Sequence, residues 1–206
     1  MQDVAAIAAH DLGRRFTGRW AVRGVGLVVQ AGRTVLVHGP NGSGKTTLLR
    51  VLASALSPSV GEVRIHGVLA VEARRRLALL SHADGHYDEL SGRDNLALAK
   101  RLGAMSGNVD EVLDTVGLRD RADDTVRGYS AGMRKRLAFA RLLLKQADVV
   151  FLDEPYAALD PAGHALVDDI LRSLRARSAT VLVSTHQVAR VAAFADDAVM
   201  LESGSV

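Results

Sequence analysis

Cysteine is absent from all 206 residues, which removes disulfides and thiolate metal ligands and fits a reducing cytoplasm. Long apolar runs are missing as well. Hydrophobic residues make up 48% of the chain, yet charge keeps interrupting them: Leu137 to Leu144 contains Arg141 and runs into Lys145. No stretch approaches the roughly 20 apolar residues that a membrane helix needs. Met1 to His10 lacks the basic start and apolar centre of a signal peptide, so no secretion signal is expected. There is no repeat, low-complexity segment or long linker, and the length suits one large domain, or a core with a subdomain. Excess charge of one sign is lacking too. The formal net charge is +3, and the clusters Arg74 to Arg76 and Arg134 to Arg136 read as solvated helix faces.

What is present is a phosphate-binding loop. Gly39-Pro40-Asn41-Gly42-Ser43-Gly44-Lys45-Thr46-Thr47 lies between a strand-like run, Thr34 to His38, and a helix-like run, Thr46 to Leu52. Gly39, Gly42 and Gly44 let the backbone wrap and aim its N–H groups at a polyphosphate. The helix that follows adds the positive end of its dipole. Lys45 reaches the β- and γ-phosphates and the Thr46 hydroxyl holds Mg²⁺. A plain glycine-rich turn would not require Lys-Thr at that offset.

The wider pattern alternates strand and helix. Val4 to Leu12 and Val22 to Gln30 open the chain as strands, followed by Thr34 to His38, Glu62 to Ile65 and Leu77 to Ser81. Helical periods broken by glycine fill Ser91 to Lys145, a candidate helical subdomain. Asp148 to Leu152, Ala179 to Ser184 and Ala198 to Glu202 are the later strands, with a helix at Pro161 to Leu174. The expectation is an α/β fold with a mostly parallel sheet and an N-terminal antiparallel β portion.

Three further segments carry chemistry. Val149 to Glu154 is an apolar strand delivering Asp153 and Glu154 at its carboxyl end, where open α/β sheets bind ligands. Asp153 suits the Mg²⁺ shell opposite Thr46, and Glu154 suits a general base beside the γ-phosphate. His186 follows the strand Ala179 to Ser184 and emerges on the same sheet edge, where an imidazole can hydrogen-bond the γ-phosphate. Tyr129-Ser130-Ala131-Gly132-Met133 precedes a basic helix, with Ser130 as its N-cap and a potential anion site.

The motifs G-P-N-G-S-G-K-T-T, Y-S-A-G-M, V-V-F-L-D-E-P and S-T-H, in that order, resemble the ATP-binding cassette (ABC) ATPase family over essentially the whole chain, residues 1–206. The resemblance implies ATP hydrolysis by in-line attack of water, with Glu154 as base, Lys45 and Mg²⁺ neutralising charge, and His186 sensing the γ-phosphate. It implies a homodimer formed on ATP binding, in which Ser130 and Gly132 contact the ATP held by the opposing copy and Asp160 couples the two sites. It implies integral-membrane permease subunits as partners, attachment to the inner face of the membrane through them, and no nucleic-acid partner. Phe16 falls where the family places an aromatic on adenine; a core role for Phe16, or Trp20 in its place, remains open.

The chain departs from the family at Tyr129, Ala131 and Met133, where Leu, Gly and Gln are usual, and at His82. His82 stands where a glutamine normally touches Mg²⁺ or the attacking water and senses the membrane partner. That histidine, together with S-A-G, A-R-L-L-L, A-L-D-P-A-G and T-H-Q, is similar to the ATPase of the haem exporter used in cytochrome c maturation. The alternatives are an exporter ATPase for a drug, lipid or polysaccharide, or an ABC ATPase acting on nucleic acid or ribosomes. The last class typically carries tandem cassettes or a long coiled-coil insertion, and this chain has neither.

Overall fold

In a computed structural model the chain is described over residues 5–81 and 85–205. Strands β1 (Ala5–Phe16) and β2 (Arg19–Gln30) form an antiparallel hairpin, joined by β4 (Val60–Ile65) and the short β5 (Val68–Leu69) in the order β2-β1-β4-β5. The hairpin runs past Leu12 and starts before Val22, the limits expected from alternation. Register shifts between Ala9 and Leu12 and between Leu12 and Arg14 break the period of two that marks a strand in sequence.

The second sheet is wholly parallel, in the order β6-β7-β8-β3-β9. It comprises β3 (Thr34–His38), β6 (Leu77–Leu80), β7 (Val149–Asp153), β8 (Thr180–Ser184) and β9 (Asp197–Met200). The central strands β7 and β8 are buried along their whole length, as a parallel sheet covered on both faces requires. Glu202, expected in the last strand, instead forms an isolated bridge with Ser205.

Helix α1 (Lys45–Leu52) lies in the core between the sheets, burying Leu48, Leu49, Val51 and Leu52, each worth about 1.5–3 kcal/mol of apolar transfer. The segment from Ser91 to Lys145 folds as α2 (Gly92–Gly103), α3 (Val109–Thr115) and α4 (Ala131–Leu144), capped by Ser91, Asn108 and Ser130. These helices and α5 (Pro161–Ala176) pack into a second core with the parallel sheet. Helix α6 (Val188–Ala192) precedes β9. The topology brings the carboxyl ends of β3, β7 and β8 to one sheet edge.

Candidate functional site

The phosphate loop is wedged between backbones. A Cβ on Gly39, at φ +147°, would stand 2.1 Å from the Leu201 carbonyl oxygen, and one on Gly44, at φ +102°, would stand 2.2 Å from that of Ala21. Both positions therefore demand glycine for space as well as for conformation. Gly44 caps α1 without a side chain, and the helix has no acidic residue in its first turn, leaving its positive end to an anion. The Lys45 ammonium, buried within the loop, donates to the carbonyls of Gly39 (2.8 Å) and Pro40 (2.9 Å). The Ser43 N–H donates to the Pro40 carbonyl, and the Ser43 carbonyl accepts from Gly204.

Asp153 ends β7 with 1% of its surface exposed. Its Oδ1 accepts from Ser184 (2.7 Å) and Thr46 (3.1 Å), while Oδ2 is buried without a hydrogen-bond partner. Leaving a carboxylate oxygen so placed is costly unless a cation completes it. The donor set suits Mg²⁺: a carboxylate and a hydroxyl, both hard oxygens, with the rest of the octahedron left to water and phosphate. Among the described residues no cluster of three or more His, Cys, Asp or Glu could hold a metal.

Glu154 follows in the left-handed region, at φ +47°, a conformation that costs a non-glycine residue about 1–2 kcal/mol. Its N–H donates to the Ser184 carbonyl (3.0 Å), and its own carbonyl accepts from Lys135 Nζ (3.2 Å). Glu154 Oε2 accepts from the His186 backbone N–H, and Oε1 lies 3.3 Å from His186 Nε2, within ion-pair distance but outside hydrogen-bond geometry. Asn41, Gly42, Gly44, Lys45, Thr46, Thr47, Asp153, Glu154 and His186 thus line one open cleft, with Ala21 at its wall.

The other sequence-derived candidates lie outside this lining. Ser130 accepts from the Met133 N–H at the start of α4 and is exposed. Gly132 faces the Ala158 carbonyl. Asp160 caps α5 through the Gly163 N–H (2.7 Å) and keeps a 3.9 Å contact with Arg136. Phe16 is 43% exposed at the hairpin end, with the Arg14 guanidinium 4.7 Å from its ring centroid; such exposure does not fit a core aromatic. Trp20 lies over Gly13 between Arg15 and Arg23. His82 is outside the described residues.

Arg134 to Arg136 is no solvated face. Arg134 pairs with Asp88, Lys135 is buried against the Glu154 carbonyl, and Arg136 donates to the Val116 carbonyl. Charge clustering looks the same whether a helix meets water or packs on a strand end, so sequence alone misled here. Ser184, buried and bonded to Asp153, was also missed. Its signal was the first letter of S-T-H, on a strand next to β7. Tyr129 is buried, and its hydroxyl donates to the Arg121 carbonyl (2.6 Å). Gly92 makes room for that ring, since a Cβ there would meet the hydroxyl at 2.3 Å.

A family model described as "ABC transporter" matches residues 22–157. The daunorubicin resistance ATP-binding protein DrrA3 of Streptomyces coeruleorubidus is 39% identical over 98% of the chain, which spans 66% of that protein. A cytochrome c biogenesis ATP-binding export protein, CcmA of Xylella fastidiosa, is 42% identical over 76% of the chain and 75% of its own length. Among solved structures, the dimeric post-hydrolysis state of the ATP-binding cassette MJ0796, bound to ADP and Pi, superposes with a TM-score of 0.88. It is 25% identical, covering 97% of this chain and 96% of that one.

Proposed function

This chain belongs to the ABC transporter family as one of its ATPase cassettes, and we propose that it is the ATP-hydrolysing subunit of an exporter whose membrane subunits are separate chains. One observation carries the reading: Lys45, Thr46, Asp153, Glu154 and His186, from three separate strand ends, meet in a single cleft. The loop N–H groups and Lys45 hold the β- and γ-phosphates. Thr46 and Asp153 would hold Mg²⁺, which when bound offsets phosphate charge. Glu154 takes the proton of the water that attacks the γ-phosphorus as the bond to the leaving ADP oxygen breaks. His186 donates to a γ-phosphate oxygen, and its backbone N–H donates to Glu154 Oε2 beside it.

Ser130 and Gly132 would complete the site of a second copy, a role supported by the exposure of Ser130, by the place of both outside this chain's own cleft and by the dimeric cassette that superposes on it. Phe16, exposed at the hairpin end, would stack on adenine. Among the described residues no helix is long and apolar enough to cross a membrane, and on this reading solute would pass through membrane subunits. A groove between α2, α4 and β6, lined by Leu79, Leu102, Met105 and Lys145, supports docking of such a partner at the inner membrane face. His82, near this groove in sequence, would link it to the nucleotide.

For the cargo we favour the exporter of cytochrome c biogenesis, supported by the likeness to CcmA. Drug export is the second reading, supported by DrrA3 over almost the full chain. Deleting the gene in its host separates them: loss of c-type cytochromes supports the first, and drug sensitivity with normal cytochromes supports the second. For the chemistry, Glu154→Gln should keep ATP binding while phosphate release stops; unchanged release would remove Glu154 from its role.

A further inference from the structure

Helix α6 has little to hold it. It spans five residues, lacks a side-chain N-cap, and is far below the length at which helices sustain themselves. Yet it starts two residues after His186 and sets where that histidine stands. His186 itself is 58% exposed on its side chain and touches Glu154 only at 3.3 Å. Its position must be fixed from elsewhere.

Arg190, inside α6, supplies the fixing point. Its Nε donates to Asp168 Oδ1 at 3.0 Å and its terminal nitrogen pairs with Oδ2, a two-point grip on a carboxylate in the middle of α5. Tyr156, 2% exposed and two residues beyond Glu154, donates its hydroxyl to the same Oδ1 at 2.8 Å. The Arg190 guanidinium also lies 5.4 Å from the centroid of the Tyr156 ring. His164 closes the other side, edge-on to that ring at 5.4 Å, with its Nε2 3.2 Å from the Tyr156 carbonyl. Three elements therefore converge on one carboxylate: the segment leaving Glu154, the middle of α5, and the helix following His186. Burial pushes the Asp168 carboxyl up, but hydrogen bonds from Arg190 and Tyr156, with the charges of Arg190 and Arg172, together hold the group below its ordinary value. An apolar contact would anchor α6 as firmly but would not fix its rotation; a two-point pair does.

We infer that Tyr156, Asp168 and Arg190 are positioning residues for ATP hydrolysis, a brace that holds the Glu154 strand end and the His186 helix in mutual register. The inference rests on the reading of Glu154 and His186 as reacting groups. It places three residues of this chain, none of them touching substrate, in control of turnover and not of ATP affinity.

The test is steady-state hydrolysis of Mg-ATP by the intact chain, with ATP affinity and thermal melting measured beside it. Arg190→Gln should lower kcat about tenfold while Kd for ATP stays within about twofold, because misplacement by a fraction of an ångström falls on the reaction and not on phosphate binding. Arg190→Lys, which keeps charge and one contact, should recover part of kcat. Tyr156→Phe removes one oxygen from a filled position and should lower kcat about threefold; it carries the test if Arg190→Gln does not fold. Normal kcat in both variants overturns the brace, as does a loss of kcat that only tracks lost affinity and melting temperature. Glu154→Gln run in parallel keeps the two ideas apart. If it hydrolyses ATP normally the site reading has failed; if it is silent while Tyr156→Phe and Arg190→Gln are unaffected, only the brace has.

Discussion

The parallel-sheet half and the helical half of the molecule handle charge in opposite ways. Asp153 is buried, bonded to Ser184 and Thr46, and framed by strand ends that packing holds rigid. Ser130, by contrast, is exposed at the start of α4 and bonds only within its own helix turn. Around it the helical half is laced with surface ion pairs: Arg93 with Asp110 and Asp123, Arg119 with Asp114, Arg121 with Asp124, Arg127 with Glu89. Exposed pairs of this kind contribute about 0–1 kcal/mol each and weaken with salt. On the proposed reading, bond making falls to a preorganised, buried edge, and contact with a second copy would fall to a surface whose local electrostatics are soft. A site divided in this way would be complete only between two copies.

The largest effect should come from the buried half. Glu154→Gln should lower the rate of phosphate release by about 10²–10⁴-fold, the range of a positioned general base, without weakening ATP binding. Lys45→Ala should act on the other parameter. Removing a charged donor from the loop costs about 1.5–3 kcal/mol, or roughly 10–100-fold in ATP affinity. Titration with a fluorescent nucleotide checks it, and unaltered affinity would sink the phosphate-loop assignment.

Mixing then tests whether the exposed half belongs to a neighbour's site. Ser130→Arg puts bulk and charge at the facing phosphate, so this variant alone should bind ATP yet not hydrolyse it. Combined with Glu154→Gln in equal amounts, it should regain activity. In a mixed pair, Glu154 of the first chain meets Ser130 of the second, giving one intact site per pair. Random pairing predicts about a quarter of the wild-type rate. A silent mixture, or a Ser130→Arg chain active alone, would mean that the two halves do not share a site.

Legibility in the sequence followed the same division. That Lys45, Thr46, Asp153 and Glu154 meet in one cleft was readable because each lies on a loop between strand and helix or at a strand end of one parallel sheet. The parallel strands were readable because burial on both faces leaves continuous apolar runs such as Val149 to Leu152. What sequence spacing does not encode is lateral pairing. Ser184 meets Asp153 because β8 lies beside β7, and Lys135 meets the Glu154 carbonyl because α4 packs under the strand end. Arg190 and Asp168 sit on separate helices whose approach only the fold creates. The hairpin beyond Leu12 was obscured by register shifts that break the alternation of apolar residues.

A smaller effect should separate fold from chemistry in the helical half. Gly92→Ala would bring a methyl within 2.3 Å of the Tyr129 hydroxyl, and overpacking of this kind costs about 1–3 kcal/mol. Tyr129→Phe removes the clashing oxygen but also the bond to the Arg121 carbonyl. The double variant should therefore be more stable than the sum of the single losses in urea denaturation. Strict additivity would show that the ring moves aside freely and that Gly92 is not there for Tyr129.

The smallest effect concerns the Arg190–Asp168 ion pair, whose carboxylate is far less exposed than those of the pairs on the helical surface. Asp168 is 13% exposed on its side chain and takes bonds from both Arg190 and Tyr156. Burial raises its carboxyl, but the two hydrogen bonds and the charges of Arg190 and Arg172 together hold it below its ordinary value. A carboxyl held lower in the folded state adds stability above its unfolded value of about 3.9 and loses it as pH falls through the folded value. Asp168→Asn keeps the shape and one acceptor, so it should cost about 1 kcal/mol near neutral pH. The gap between wild type and variant should close in acid, while the gap near neutral pH should change less in high salt than for the exposed pairs, since the side chain of Asp168 is 13% exposed while that of Arg190 is 37% exposed. Urea melts at neutral and acid pH, each with and without added salt, measure both. A gap that vanishes in salt at neutral pH would make Asp168 one more surface pair, and would erase at this point the contrast between the two halves.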